Sequence, residues 1–406
     1  MVTTPPESLY TAPMPGTTTQ TRPAPLPQAP TGTPLYVHLP FCVTKCHYCD
    51  FYSLPAEGQD IPGFLESLLL EIDQRAPEAP RTVFFGGGTP SLLSVEQWRL
   101  LIARLDQRTG FRNSAVEISV ECNPESLDED KARALLDLGV TRLSIGLQSL
   151  RPQTLEQFGR VHSAQEALGA FRAARRAGCA SINLDVIFAN PGQTAEHWSE
   201  DLDRILAEQP DHLAAYNLTF EESTPFLRWL EQGKLQAAPE DLELELVDIT
   251  RTKTRAAGLE AYEISNYGRP GHECLHNLNY WHNGTYVGLG PSAVSKIGLA
   301  RGGSPRSVAR YRRLLAEAGY ALEWSETLSE SARLAETWWL GLRLREGLSE
   351  TEALERAGVQ TPPDSIAPLL RRLTEEGLLE PHAGRYRLTD QGLPLADSVA
   401  AEFFRD

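Results

Sequence analysis

The chain has 406 residues, 41% of them hydrophobic and 23% charged, a globular composition with room for two or three structural units. Its formal net charge of −16 works against binding to nucleic-acid phosphates or anionic lipid and leaves small molecules and proteins as partners. No apolar run approaches the roughly 18 residues of a membrane span, and no apolar signal core follows Met1, which points to the cytoplasm.

Residues 1–33 are rich in Pro and Thr with few large apolar side chains, and are expected to stay disordered because they cannot repay the entropy of ordering. A strand is predicted over 35–39, and Pro40 and Phe41 deliver it into Cys42-Val-Thr-Lys-Cys46-His-Tyr-Cys49. A helix over 62–75 and a strand over 82–85 follow, then Gly86-Gly87-Gly88-Thr89-Pro90 and a helix over 95–107. Further strands are predicted at 116–121, 142–146, 182–188 and 212–217, with helices at 128–138, 163–177 and 195–208. Six β/α units argue for a parallel sheet with helices outside, either doubly wound or a closed or partial barrel.

From Glu222 the pattern is irregular: a helix at 240–257, the run Tyr262-Glu-Ile-Ser-Asn266, and a Gly-, His- and aromatic-rich stretch to Gly298 that reads as an appendage closing the sheet. From Ser329, helices at 331–344, 350–357 and 365–376 precede two short apolar-polar runs about a turn at 382–384, a winged-helix order. Nine Arg and no Lys against fourteen acidic residues from Glu330 onward favour a packing or partner role over DNA binding.

The chemistry concentrates at Cys42, Cys46 and Cys49; Cys122, Cys179 and Cys274 are scattered singly, which is no disulfide framework. Three thiolates are one short of a closed zinc site or a fully ligated cluster. A zinc or redox site is the plainer alternative, but no second Cys-x-x-Cys knuckle exists to complete one. The spacing instead fits a [4Fe–4S] cluster whose fourth iron takes a chelating ligand such as the amino-carboxylate of S-adenosylmethionine. One electron from the cluster would then cleave the sulfonium and release a 5′-deoxyadenosyl radical.

Around that centre, Tyr48 is placed to pack on adenine, and Gly86, Gly87 and Gly88 allow close backbone approach to the methionine part, though such a run also makes an ordinary tight βα turn. Glu121, Gln148, Arg160 and Asp185 stand at or beyond successive strand ends, where barrels build their sites. Each alone would pass as a cap or surface residue; together they suit ribose hydroxyls, an amino group and a carboxylate. His276-Asn277-Leu278-Asn279-Tyr280-Trp281 offers a lining for a flat ligand or an axial haem ligand, and equally a hydrogen-bonded core histidine. His38 reads as structural or site-lining.

These pieces resemble the radical S-adenosylmethionine proteins, in the branch of oxygen-independent coproporphyrinogen III oxidase and its haem-chaperone relatives. The resemblance runs through Tyr36-Val-His-Leu-Pro-Phe-Cys42, Gly86-Gly-Gly-Thr-Pro-Ser91, Glu121-Cys-Asn-Pro124, Arg142-Leu-Ser-Ile-Gly-Leu-Gln148 and Asn183-Leu-Asp-Val-Ile-Phe188. It implies a (β/α)6 partial TIM barrel over 34–221, an α+β extension over 222–328 and a winged-helix-like domain over 329–406. It also implies a [4Fe–4S] cluster on Cys42, Cys46 and Cys49, and S-adenosylmethionine near Tyr36, Tyr48, Gly87, Gly88, Thr89, Glu121, Gln148, Arg160 and Asp185. In the oxidase pattern a further cysteine stands where this chain has Phe51, and an ordered N-terminal segment replaces the Pro/Thr-rich tail. His276, Asn277, Tyr280 and Trp281 match the HNxxYW element of the chaperones. A chaperone that binds haem, with His276 as its haem residue, and delivers it to haem proteins, membrane-bound respiratory ones included, is therefore the expectation. An electron donor completes its partners, and a porphyrinogen-decarboxylating enzyme is the alternative. Where relatives continue Gly-x-Gly-x-Gly-Ala with a nearby His, this chain has Gly288-Leu-Gly-Pro-Ser-Ala-Val294.

Overall fold

The computed structural model describes residues 23–404. Six strands follow the chain in spatial order and run parallel: β1 (Leu35–Leu39), β2 (Thr82–Gly87), β3 (Glu117–Cys122), β4 (Arg142–Gln148), β5 (Ser181–Phe188) and β6 (His212–Asn217). Helices cover one face of this sheet, which curls as a (β/α)6 partial barrel. Alternation along each strand sorts the two faces. Leu35, Val37 and Leu39, then Val83 and Phe85, then Leu143, Ile145 and Leu147 join one apolar core beneath the helices. The intervening positions face the barrel interior and are unusually polar: Ser144 is paired with Asn183, and Gly146 with Asp185.

Helix boundaries obey local chemistry. Ser94 caps Val95–Thr109 with a reciprocal capping box to Gln97, and Gly110 ends that helix in the left-handed conformation. The predicted elements sit within a few residues of the observed ones, but three helices between 217 and 329 lay outside the prediction: Pro225–Glu231, Leu275–Trp281 and Val308–Ala318. The first two are seven residues each, too short for a clear amphipathic period.

The appendage seals both edges of the parallel sheet. Its strands are β7 (Glu260–Ala261), β8 (Asn266–Gly268), β9 (Val287–Leu289), β10 (Val294–Ile297), β11 (Ala300–Gly303) and β12 (Trp324–Thr327). β9 adds in parallel beside β1, and β8 adds antiparallel beside β6 with β7 outermost; β10, β11 and β12 form a separate antiparallel sheet. Beyond it, helices Glu330–Gly341, Glu350–Ala357 and Ile366–Glu375 lead to a hairpin of β13 (Leu379–His382) and β14 (Arg385–Leu388), and an isolated antiparallel bridge joins Leu348 to Tyr386. This winged-helix-like unit has its own core, in which Trp338 stacks on Phe403 at 5.2 Å. Lys296 and Arg301 of the small sheet meet the buried Glu336 of helix Glu330–Gly341 at 3.3 and 2.8 Å and fasten the two parts.

Most of the segment expected to be disordered, 1–33, lies outside the described residues. Its end is packed: Gly32 N donates to Glu78 O at 2.9 Å, Thr33 is buried, and the Tyr320 hydroxyl donates to Pro23 O at 3.2 Å. Extended proline-rich backbone can lie across a surface by such main-chain contacts without a large apolar face of its own.

Glu71, fully buried in helix Ile61–Arg75, joins the appendage to the barrel. It receives Gly290 N at 2.8 Å, the Tyr311 hydroxyl at 2.6 Å and Arg75 at 2.6 Å. Glu71→Ala strands three donors at once and is expected to cost about 3 kcal/mol, read from the urea midpoint; a shift near zero would show that this carboxylate does not fasten the two parts.

Candidate functional site at the strand ends

β1 leaves the barrel through Pro40 into the two-residue strand Phe41–Cys42, which pairs with Leu54–Pro55 and so closes the base of the cysteine loop. Elements outside the loop hold its path. His47 N donates to Phe158 O at 2.9 Å, its Nδ1 meets Gln157 O at 2.9 Å, and Phe226 N donates to His47 O at 3.1 Å. The His47 ring also meets Trp229 edge-on at 4.9 Å. Helices Pro152–Phe158 and Pro225–Glu231 thus grip the loop from one side.

The triglycine comes up against it from the other. Gly88 N and Thr89 N donate to Leu39 O and Phe41 O at 2.8 and 2.7 Å. Gly87 has φ of +111°, and a Cβ there would lie 2.6 Å from the His38 ring; a Cβ on Gly88 would lie 2.7 Å from Phe41 O. Side chains are excluded at both positions.

One pocket results, enclosing about 590 Å³ with its open mouth included. Cys42, Cys46, Cys49 and Tyr48 line it, as do Gly87, Gly88, Glu121, Gln148, Arg160 and Asp185. Tyr36 and Thr89 are not among its lining residues, though Thr89 hydrogen-bonds Cys42. The Tyr36 ring stacks on Phe84 at 6.2 Å, and the Thr89 hydroxyl receives Asn123 Nδ2 at 3.0 Å. His38 lies behind Gly87 with Nε2 on Tyr52 O at 2.9 Å, which ties the exit of the cysteine loop to β1. The lining residues missed from sequence include Asn123, Ser144 and Gly146. Counting back by two from Gln148 along β4 reaches Gly146 and Ser144, a signal present in the sequence but hidden by the smallness of those side chains.

The electrostatics suit a soft cation. Burial, reinforced by the neighbouring Cys46 and Cys42 sulfurs, pushes the Cys49 thiol up to about 12, and burial raises Cys42 as well. Burial opposes the charge on Arg160, but the Cys46 and Tyr48 groups outweigh it and raise its pKa. Its guanidinium donates to Tyr48 Oη at 2.7 Å and Asn123 Oδ1 at 2.9 Å, while its Nε is buried without a partner. Gln148 Oε1 is likewise buried and unpartnered, on a residue with φ of +62° beside a β-bulge. Glu121 receives Gly87 N at 3.0 Å, and Asp185 receives Ser144 and Asn183, each at 2.9 Å. Among the described residues no group of three or more His, Cys, Asp or Glu side chains surrounds a point that would take a single metal ion. A mononuclear zinc needs its sulfurs about 2.3 Å from one centre, whereas a cluster distributes them over several irons. Three soft donors beside a bare amide oxygen and a bare guanidinium nitrogen fit a thiolate-held cluster with an amino-acid ligand.

The structure does not bring His276 to this pocket. The ring is fully buried at the other end of the barrel, with Nδ1 2.8 Å from Thr82 Oγ1 and Nε2 3.0 Å from Tyr280 Oη, so neither nitrogen is open. Its helix is seated on Glu117, which receives Leu275 N at 2.9 Å and His276 N at 3.0 Å. Trp281 packs instead with Trp339 and Leu344 of the C-terminal unit. The HNxxYW element is a floor for the barrel and a joint to the next unit.

Sequence comparison accords with this architecture. The Radical SAM superfamily profile matches residues 36–205, and the HemN C-terminal domain profile matches 328–395. Coproporphyrinogen III oxidase (HemN) from Escherichia coli shares the fold, with a TM-score of 0.79 over 93% of this chain and 91% of that one, at 24% identity. Fold and site thus define a radical S-adenosylmethionine protein, a class that implies a [4Fe–4S] cluster and S-adenosylmethionine. "Heme chaperone HemW" of Bacillus subtilis (strain 168) is 34% identical over 91% of this chain and 98% of its own length. The protein of the same name from Escherichia coli (strain K12) is 33% identical over 92% and 98%. The chain belongs to the heme chaperone HemW family.

Burial holds the His276 imidazole neutral, its pKa lowered from 6.5 to about 3. The unfolded chain takes up that proton first, so the stability owed to the neutral ring is complete above pH 6.5 and is lost as pH falls towards about 3. His276→Phe is expected to cost about 2 kcal/mol at pH 7 and to lose stability less steeply than the parent between pH 6.5 and 4. Urea midpoints across that range check it, and equal slopes would exclude the assignment.

Proposed function

We propose that this protein binds haem and passes it to haem-dependent proteins, respiratory ones at the membrane among them. Its radical S-adenosylmethionine core has Cys42, Cys46 and Cys49 as the cluster ligands. The observation that carries this reading is the match to proteins named as heme chaperones along nearly their whole length. Phe51 supports it: an apolar ring lines the pocket where the oxidase pattern has a further cysteine.

When bound, the cluster supplies a one-electron reductant for the sulfonium of S-adenosylmethionine, itself drawing on an external electron donor. The chain's own residues bind and orient. Gln148 Oε1 accepts from an amino or hydroxyl group, Arg160 Nε donates to a carboxylate, and Glu121 and Asp185 supply acceptors. Tyr48 and the backbone of Gly87 and Gly88 shape the walls, with Tyr36 and Thr89 in support. In this reading haem ligation falls to a side chain with an open coordinating atom, since both ring nitrogens of His276 are hydrogen-bonded. No helix among the described residues is long and apolar enough to cross a membrane, so contact with membrane recipients would run through those partners. The cytoplasm, where thiols stay reduced, suits the three cysteines.

The alternative, decarboxylation of a porphyrinogen, draws on the likeness to HemN, which at 24% identity establishes the fold alone. Parallel anaerobic assays of the reconstituted protein separate the two. Stoichiometric haem uptake and transfer to an apoprotein, without consumption of coproporphyrinogen III, is the expected result, and catalytic decarboxylation would overturn it. His276→Phe is expected to leave haem affinity unchanged. Cys46→Ala should abolish the visible absorbance of the reconstituted cluster, because two thiolates do not hold it; a retained spectrum would remove Cys46 from the ligand set.

A further inference from the structure

A chain of buried hydrogen bonds runs down the barrel axis from the pocket to its floor. Asp185 on β5 lines the pocket. Asn183 Nδ2 donates to Asp185 Oδ1 at 2.9 Å and to Ser144 Oγ at 2.7 Å, and the Ser144 hydroxyl donates to Asp185 Oδ2 at 2.9 Å. Asn183 Oδ1 is 2.6 Å from His212 Nδ1, and His212 Nε2 is 2.9 Å from Tyr262 Oη, which receives Cys274 N at 3.2 Å. His212 is 1% exposed and Asn183 3%.

The direction of every bond can be deduced. A carboxylate only accepts, so the Asn183 atom facing Asp185 is its nitrogen and the atom facing His212 is its oxygen. The oxygen demands a donor, so His212 carries its proton on Nδ1. Burial, with Arg142 and His272 adding to it, lowers the His212 pKa well below the ordinary value, so the ring is neutral and Nε2 accepts. Tyr262 must then donate to it. From the Cys274 amide, at the start of the HNxxYW helix, each group donates towards the next and the last donors converge on Asp185. Bonds aligned in one sense polarise one another.

We infer that His212 is a positioning residue for the S-adenosylmethionine pocket: through Asn183 it fixes Asp185 as an acceptor, and through Tyr262 it ties that carboxylate to the HNxxYW helix on the barrel floor. This rests on the reading of Asp185 as a ligand-binding group. A histidine serves because its neutral ring offers one donor and one acceptor on opposite sides, and a glutamine amide offers the same pair.

The test is calorimetric affinity for S-adenosylmethionine in cluster-reconstituted protein, with melting temperature measured alongside. His212→Phe keeps the ring's bulk but removes both bonds, and is expected to weaken binding about tenfold; Tyr262→Phe, which removes only the far end, should weaken it about threefold. His212→Gln should restore affinity to within about twofold of the parent. A purely packing role for His212 would lower the melting temperature while the folded protein keeps its affinity, and that result overturns the inference, as would equal losses in the Phe and Gln variants. Asp185→Asn separates the two levels. If it leaves affinity unchanged, the reading of Asp185 and this inference fall together. If it weakens binding while His212→Phe does not, only the inference falls. Should His212→Phe not fold, unchanged affinity in Tyr262→Phe is enough to overturn it.

Discussion

Crowding of three thiols into one partly buried pocket is the constraint from which the rest follows. Burial and the neighbouring sulfurs raise the pKa of Cys42 and Cys49 and disfavour their ionised forms, so occupancy by a soft cation would exchange protons for metal. Such a site needs its ligands held by something other than the metal. The loop's path is set by main-chain bonds to helices Pro152–Phe158 and Pro225–Glu231, and its far wall by a triglycine that leaves no room for side chains. Arg160 supplies the compensating positive charge, anchored on Tyr48 and Asn123.

A second demand is that the barrel interior be polar. A closed eight-stranded barrel fills its centre with branched aliphatic side chains; here the aliphatics face the helices, and the interior holds Glu117, Arg142, Ser144, Asn183, Asp185 and His212. Buried polar groups are tolerable only when paired. They are paired in a vertical order: Glu117 with the floor helix, Arg142 with His272 O and Ser181, His212 with Asn183 and Tyr262. The appendage is therefore structurally required, because it supplies the partners at the bottom.

How far this was legible in the sequence follows from which forces leave a periodic trace. The β/α units showed because the outward aliphatics of each strand alternate with helices of period 3.6, and the cysteine spacing and triglycine marked one end of the barrel. Asn123, Ser144 and Gly146 escaped because a small or polar residue on the inner face carries no signal of its own; only the register against Asn183 and Asp185 brings it to the pocket. His276 was the converse case. Its motif stands out as a string of polar and aromatic residues, yet partners distant in sequence, Thr82 and Glu117, turn it inward. The packing of residues 23–33 was invisible for a similar reason, since it rests on main-chain bonds to sites such as Glu78 and on the Tyr320 hydroxyl.

One feature of the sheet bears on how the molecule is made. β1, which carries the cysteine loop, pairs on one side with β2 and on the other with β9, where Leu35 meets Val287. During synthesis the cysteines leave the ribosome well before the strand that seals their edge of the sheet, which follows all six parallel strands. Until then β1 exposes an open row of peptide groups, a template for mispairing. The barrel floor waits equally long, because Tyr262 and the helix beginning at Leu275 emerge after all six parallel strands. Translation order therefore places completion of the pocket late, when the appendage has been added to the nascent chain. Chains truncated before the appendage would carry the cysteine motif without the scaffold that shapes it.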